Sequence, residues 1–323
     1  MPRPFKKKAA EKDILKLIPP PEVRPAMTSR RIGIHTSTAG GVEQAAERAY
    51  RLGCNTFQVF SSSPRQWRPY DLGREQCDVM SALRSRYDLK PLVIHANYLI
   101  NLAGGNPDFH RKSVEAFRAE IGRAVALCAE YLVLHPGSFR GSSREEGLAK
   151  VAQAIEEAAR GTGMEESSLT VLIENTAGSE FSLGGRLEHV AELVDRLRPV
   201  LRTAACIDTC HTHVAGYDIV TESGYEQTME YLEATIGLKN VPVWHCNDAK
   251  AECGSKLDRH AHVGQGTIGI EPFRRLLNDA RTAHAAFIAE TPIDEPLDDQ
   301  MNVNALKAVV SDSNAAKAPR KPR

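Results

Sequence analysis

The sequence predicts an α/β protein built as a (β/α)8 TIM barrel, and three observations carry that prediction. Eight short β-rich runs recur along the chain, most of them continuously apolar rather than alternating, as strands buried on both faces of a parallel sheet must be. The stretches between them place apolar residues at spacings of three and four, the helical period. Successive runs start about 25 to 45 residues apart, the length of a strand plus its crossover helix, with no composition break that would divide the chain.

Taken in order, the runs are RIGIHT from Arg31, TFQVF from Thr56, PLVIHA from Pro91, YLVLHPG from Tyr131, LTVLIEN from Leu169, TAACIDT from Thr203, VPVWHCND from Val241 and AAFIAET from Ala285. VEQAAERAYRLG follows the first as a helix and stops at Gly53. VEAFRAEIGRAVALCAE follows the third, and LAKVAQAIEEAARGTG follows the fourth and stops near Gly161. Glycine at such a stop supplies the left-handed residue that ends a helix.

Length and composition agree with one large domain. The chain has 323 residues, 42% hydrophobic and 25% charged, which excludes wholesale disorder and suits a single barrel of about 250 residues with tails. The formal net charge of zero conceals an uneven distribution: residues 1–31 hold nine Lys/Arg against three Asp/Glu, residues 312–323 hold four against one, and residues 32–311 hold 28 against 37. We therefore expect a basic extension over 1–30, a barrel domain over 31–311 and a basic tail over 312–323. The acidic body argues against a plain phosphate-binding surface unless bound cations change its field. No apolar run approaches the roughly 20 residues of a membrane span, and the start MPRPFKKKAAEKD has no apolar leader stretch, so a cytoplasmic protein that avoids membranes is expected. Seven cysteines without regular short spacing fit a reducing compartment; Cys206 and Cys210 read as a spare thiol pair rather than a zinc knuckle.

In a barrel of this type the chemistry collects where strands finish, because the loops leaving those ends form the active face. The ends are His35, His95, His135, Glu174, Asp208, His245 and Glu290. One such histidine alone is ordinarily a satisfied structural residue. A ring of imidazoles and carboxylates is different, since burying it unpaired is costly and divalent cations would neutralise it. DTCH adds His211 three residues after Asp208, and DRHAHVGQGTIG adds Asp258 and His260. That exceeds the about four to six ligands of one ion and points to two or three, with zinc suited to the mixed donors and manganese or iron as alternatives at one site. Clustered dications of this kind serve phosphoryl chemistry; no P-loop or G-x-S-x-G elbow competes. The loop SSSPRQW carries Arg65, Gln66 and Trp67, and HANYLINL carries Asn97, Tyr98, Leu99 and Leu102. Periodicity leaves open whether these pack the loops onto the barrel or act as wedges that open stacked bases.

The stretches HTSTAGG, FSSSPRQW, HANYLINL, HPGS, IENTAG, DTCHTHVAGYD, HCNDAK, GSKLDRHAHVGQGTIG and AET, in that order from about Gly33 to Glu290, resemble the endonuclease IV family of apurinic/apyrimidinic (AP) endonucleases. The resemblance implies three zinc ions. One is held by His95, His135 and Glu174, a second by Glu174 as bridge with Asp208, His245 and Glu290, and a third by His211, Asp258 and His260. His35 falls outside that set and is assigned to structural support. The resemblance further implies a monomer whose Arg65, Tyr98 and Leu99 enter duplex DNA at an abasic site or blocked 3′ end. There Glu174 serves catalysis of hydrolysis 5′ to the lesion, leaving a 3′-hydroxyl. Two other readings remain: a sugar isomerase or epimerase on the same barrel, which would explain Glu174, Asp208, His245 and Glu290 but not the further triplet, and a damaged-DNA binding module without catalysis.

Overall fold

The computed structural model describes residues 12–63, 66–67 and 71–311. Among the described residues ten strands form in chain order: β1 Arg31–Ile34, β2 Phe57–Phe60, β3 Leu92–His95, β4 Tyr131–Leu134, β5 Thr170–Glu174, β6 Thr203–Asp208, β7 Val243–His245, β8 Asp248–Ala249, β9 His260–Ala261 and β10 Ala286–Ala289. Eight of them make one all-parallel sheet in the order β1-β10-β7-β6-β5-β4-β3-β2. Its two ends meet through the parallel bridge His35–Gln58, with Thr36 N–H donating to Gln58 O (2.8 Å) and Asn55 N–H to Ile32 O (3.1 Å). The sheet therefore closes into a barrel whose strands are the eight runs read from the sequence. The approach of β1 to β2 is tight enough that Gly33 has no room for a side chain: a Cβ there would lie 2.2 Å from Thr56 O.

The period of two along each strand sorts the apolar side chains into two compartments. Val93, Val133, Leu172, Ala204, Cys206, Val243 and Ile288 fill the barrel's inside. Their neighbours, among them Leu92, Ile94, Leu132, Leu134, Ile173, Ile207, Trp244 and Phe287, face outward into a larger core shared with the surrounding helices. That division explains why the runs are continuously apolar: both parities are buried.

Helices cover the outside at Gln44–Arg51, Arg74–Tyr87, Pro107–Ala126, Arg144–Ala159, Leu187–Leu197, Glu222–Thr235, Ile270–Asn278 and Asp298–Ala308. Gly53 and Gly161 carry φ of 76° and 70° just past the first and fourth of these, the left-handed exits expected of them. Three of these helices start at a side-chain cap, Asn106 accepting from Asp108 and Phe109 N–H, Ser143 forming a capping box with Glu146, and Thr221 accepting from Gly224 N–H.

Residues 12–30, which composition places outside the fold, lie against the barrel. Ile14 is only 5% exposed, Arg48 grips Asp13 (3.0 Å), and Arg51 donates to the carbonyls of Leu15 and Ile18 (3.0 and 2.9 Å). Side chain to backbone bonds have no sequence period, so the pattern could not announce this docking. The tail 312–323 lies outside the described residues. Among the described residues no helix is long and apolar enough to cross a membrane.

Candidate metal centre

On six strands the last inward-facing apolar residue is followed, two positions later on the same parity, by a polar one. Val93 leads to His95, Val133 to His135, Leu172 to Glu174, Cys206 to Asp208, Val243 to His245 and Ile288 to Glu290. The strands thus carry these six side chains inward at one mouth of the barrel, as strand geometry requires.

Glu174 is fully buried at the centre. Its Oε2 lies 3.1 Å from His95 Nε2 and 3.0 Å from His135 Nε2, while its Oε1 lies 3.0 Å from His245 Nδ1. The two carboxylate oxygens therefore serve different neighbours. Glu290 Oε2 closes on His245 Nδ1 from the other side at 3.1 Å.

Asp208 ends β6 and caps the short helix Thr209–Ala215, its Oδ1 accepting from His211 N–H at 2.8 Å. That N-cap geometry is why the spacing of three in DTCH turns His211 back into the mouth. The ring of His211 stands 5.5 Å from that of His135 and 5.6 Å from that of His260. Asp258 completes this corner, with oxygens 3.3 Å from His211 Nε2 and 3.4 Å from His260 Nε2. His260 is delivered by an antiparallel pair, β8 with β9, that leaves the barrel after β7 and returns. Asp248 ties the excursion down, accepting from the N–H groups of Gly266, Ile268 and Gly269 (2.9, 2.9 and 3.2 Å).

Ligand atoms within 4.8 Å of one another form the groups His95/His135/Glu174, Glu174/Asp208/His245/Glu290 and His211/Asp258/His260. A further group, Asp208/Cys210/His260, shares members with two of these. The donor chemistry fits cations. A backbone carbonyl can only accept, so the nitrogens of His95 (Nδ1 to Ala96 O, 2.8 Å), His211 (Nδ1 to Asn175 O, 2.9 Å) and His260 (Nδ1 to Glu290 O, 2.9 Å) must carry the proton. Each ring then turns a lone pair on Nε2 into the mouth, the arrangement metal-binding histidines adopt. Among the described residues the buried Nε2 of His260 makes no hydrogen bond and only faces the carboxylates of Asp258 and Asp208 at 3.4 and 3.7 Å, an arrangement that a cation would satisfy.

Without a cation the cluster holds itself by charge. Burial alone would neutralise Glu174 and Glu290, yet the imidazoles of His135 and His245 beside Glu174, and of His245, His35 and His95 beside Glu290, keep both carboxyls well below the usual range. Burial likewise disfavours protonated His211 and His245; carboxylates at hand, Asp208 and Glu174 near His211, Glu290 and Glu174 near His245, push both well above the ordinary imidazole value.

His35 sits one step aside, its Nδ1 3.0 Å from Gln58 Nε2 and 3.7 Å from Glu290 Oε1. His262 turns away to Asn302 and Asp298. Of the loop residues, Tyr98 is 65% exposed, with its ring edge-on to Phe60 at 5.0 Å, and Leu99 is half-buried, whereas Leu102 is fully buried and packs the loop. Arg65 lies outside the described residues. Asn97 fastens the neighbouring loop by donating to Ser63 O and Gln66 O (3.2 and 2.8 Å).

Three amides escaped the sequence reading. Asn175 accepts from Asp208 N–H (2.7 Å), Asn247 donates to Asp208 Oδ2 (2.6 Å) and accepts from Glu290 N–H (2.6 Å), and Gln58 touches His245, Glu290 and His35. Their signal was present as polar residues of inward parity or directly after a strand end.

Comparison with known proteins places this geometry in a lineage. Residues 46–309 match the family model described as xylose isomerase-like TIM barrel. A probable endonuclease 4 of Solibacter usitatus is 47% identical over 86% of this chain and 96% of its own, and one of Chloroflexus aggregans is 40% identical over 87% and 98%. The crystal structure of endonuclease IV from Thermus thermophilus is 37% identical, with a TM-score of 0.77 over 86% of this chain and 98% of that one. A D-tagatose 3-epimerase-like protein, 21% identical with a TM-score of 0.62 over 86% of this chain and 96% of that one, shares the fold alone. With that identity sustained over nearly the whole length of the relatives, the chain belongs to the endonuclease IV family.

Proposed function

We propose that this protein is a DNA-repair endonuclease that hydrolyses the phosphodiester 5′ to an abasic site in duplex DNA, leaves a 3′-hydroxyl, and removes 3′-blocking groups by the same chemistry. The observation that carries the proposal is the division of Glu174, whose two oxygens face separate ligand groups while the His211 corner adjoins both. That is a nest for three cations, and the mixed imidazole and carboxylate donors suit zinc.

Bound there, the ions would lower the pKa of a water and stabilise the charge that develops on the phosphoryl oxygens. The chain does the rest. Glu174 keeps its negative charge fixed between two of the groups, and the carbonyls of Ala96, Asn175 and Glu290 hold three imidazoles in the tautomer that leaves Nε2 available. Tyr98 and Leu99 would enter the duplex where a base is missing, a task the sequence resemblance also gives to Arg65, which lies outside the described residues. Extrusion of the abasic sugar is cheap because no base pair has to break. DNA shape and deformability select such a lesion without reading sequence. The acidic body requires that the cations reverse the field at the mouth before a phosphate can approach. Duplex DNA as substrate sets the place of work in the cytoplasm, with the chromosome, and one barrel mouth per chain is sufficient as a monomer.

The test is incubation of the purified protein with a duplex carrying one tetrahydrofuran abasic analogue. A single nick 5′ to the analogue, lost after chelation and restored by zinc, is the expected outcome, with about three zinc ions per chain by elemental analysis. A count near one with activity on sugars would favour the epimerase reading, and binding without nicking in the presence of zinc would favour the binding module.

A further inference from the structure

Strand β2 delivers no ion ligand to the mouth, yet its one polar member, Gln58, is fully buried there. The amide lies among three site groups: Oε1 faces His245 Nε2 at 2.8 Å, and Nε2 faces Glu290 Oε1 at 2.5 Å and His35 Nδ1 at 3.0 Å. A carboxylate must be met by a donor, so the amide nitrogen belongs on Glu290 and the amide oxygen on His245. It follows that His245 carries its proton on Nε2 and presents a lone pair on Nδ1, the atom that faces Glu174 and Glu290. His35, by the same reasoning, accepts from the amide and donates nothing through Nδ1.

We propose that Gln58 is a positioning residue of the second cation group: one buried amide that fixes the tautomer and ring plane of His245 and the rotamer of Glu290 together. This rests on the three-cation reading above. The imidazoles of His95, His211 and His260 are held by backbone carbonyls, which the fold supplies whatever the sequence. His245 depends on a side chain instead, and only a primary amide offers an acceptor to one neighbour and donors to two others from a single plane. Glutamate there would set a second buried carboxylate against Glu290, and lysine or arginine would bring a positive charge that competes with the cation. Outer partners of this kind change metal affinity about 10–100-fold when removed.

The experiment uses the metal-loaded full chain and its Gln58→Met variant, which keeps the volume and loses every hydrogen bond. Metal release to a colorimetric chelator is followed per equivalent, beside the melting temperature of the metal-free forms. The expected result is that one equivalent of three leaves about 10–100-fold faster in the variant, with the other two at the wild-type rate and the metal-free melting temperature unchanged. Release of all ions at the wild-type rate would overturn the proposal. So would uniform acceleration with a lowered metal-free melting temperature, which is what a merely structural residue would give. In parallel, the His245 Nε2 proton should persist against solvent exchange in the wild-type NMR spectrum and vanish in Gln58→Met; a wild-type His245 protonated on Nδ1 instead would refute the assignment even if the variant failed to fold. A wild-type count below three ions strikes the three-cation reading, whereas the His245 proton reports on Gln58 irrespective of that count.

Discussion

Replacing Glu174 by glutamine removes one charge and almost no volume, so its effect isolates the electrostatics of the centre. The carboxylate is fully buried and has four imidazole nitrogens within reach, on His95 (3.1 Å), His135 (3.0 Å), His245 (3.0 Å) and His211 (3.4 Å). It is the sole anionic member of the group it forms with His95 and His135, and one of three in the group with Asp208, His245 and Glu290. The substitution thus leaves the first group with no negative charge and weakens the second at the same stroke. Loss of an outer partner alone costs up to about 100-fold in affinity or activity. Loss of a residue shared by two groups should cost at least that in each, or about 10⁴-fold together, which is about 5.5 kcal/mol of barrier. The assay is nicking of a duplex with one abasic analogue by Glu174→Gln and wild-type protein, with elemental analysis of both. Incision within tenfold of wild type at equal metal content would refute the reasoning, because the central carboxylate would then be dispensable.

Tyr98→Ala should leave the melting temperature nearly unchanged, since a ring 65% exposed with an edge contact to Phe60 at 5.0 Å and a looser tilted one to His95 at 6.0 Å contributes about 1 kcal/mol; loss of its stacking in the duplex should lower abasic-site incision by roughly tenfold to a hundredfold, and matched losses of stability and incision would instead mark a packing residue. Asp299, only 7% exposed, has its carboxyl pushed up to about 6 by burial and by the neighbouring Asp298. The unfolded chain releases that proton near 3.8 and the folded one holds it to about 6, so this group makes stability fall as pH rises between the two values and stay level above them. Asp299→Asn should therefore gain up to about 3 kcal/mol in urea unfolding at pH 7 and nothing at pH 4; an equal gain at both would contradict the assignment.

The barrel was legible because its strands are buried on both faces, which leaves eight dense apolar runs, and the site because each run breaks off at a residue that has no business in oil. His95, Glu174 and Glu290 are read that way from the letters alone. The supporting amides were not: Gln58 sits inside TFQVF without ending it, and nothing in a single letter says that its flanks Phe57 and Val59 point elsewhere. The parity argument that finds it needs the inward set to be known first. The pair β8 and β9 was missed because two-residue strands have no period to detect, and the docking of residues 12–30 because carbonyl-directed arginines leave no apolar stripe. Tyr98 and Leu102 are indistinguishable by period, and only accessibility separates the exposed one from the buried one.

Six members of the cation nest grow from strand ends that the whole barrel stabilises, but Asp258 and His260 ride on the excursion between β7 and the helix at 270–278. The third corner is accordingly a detachable module. Shortening that loop would remove Asp258 and His260 while sparing the closed sheet beneath, so a lineage on this scaffold could gain or shed the proposed third cation site by editing a connection and leave the foundations untouched.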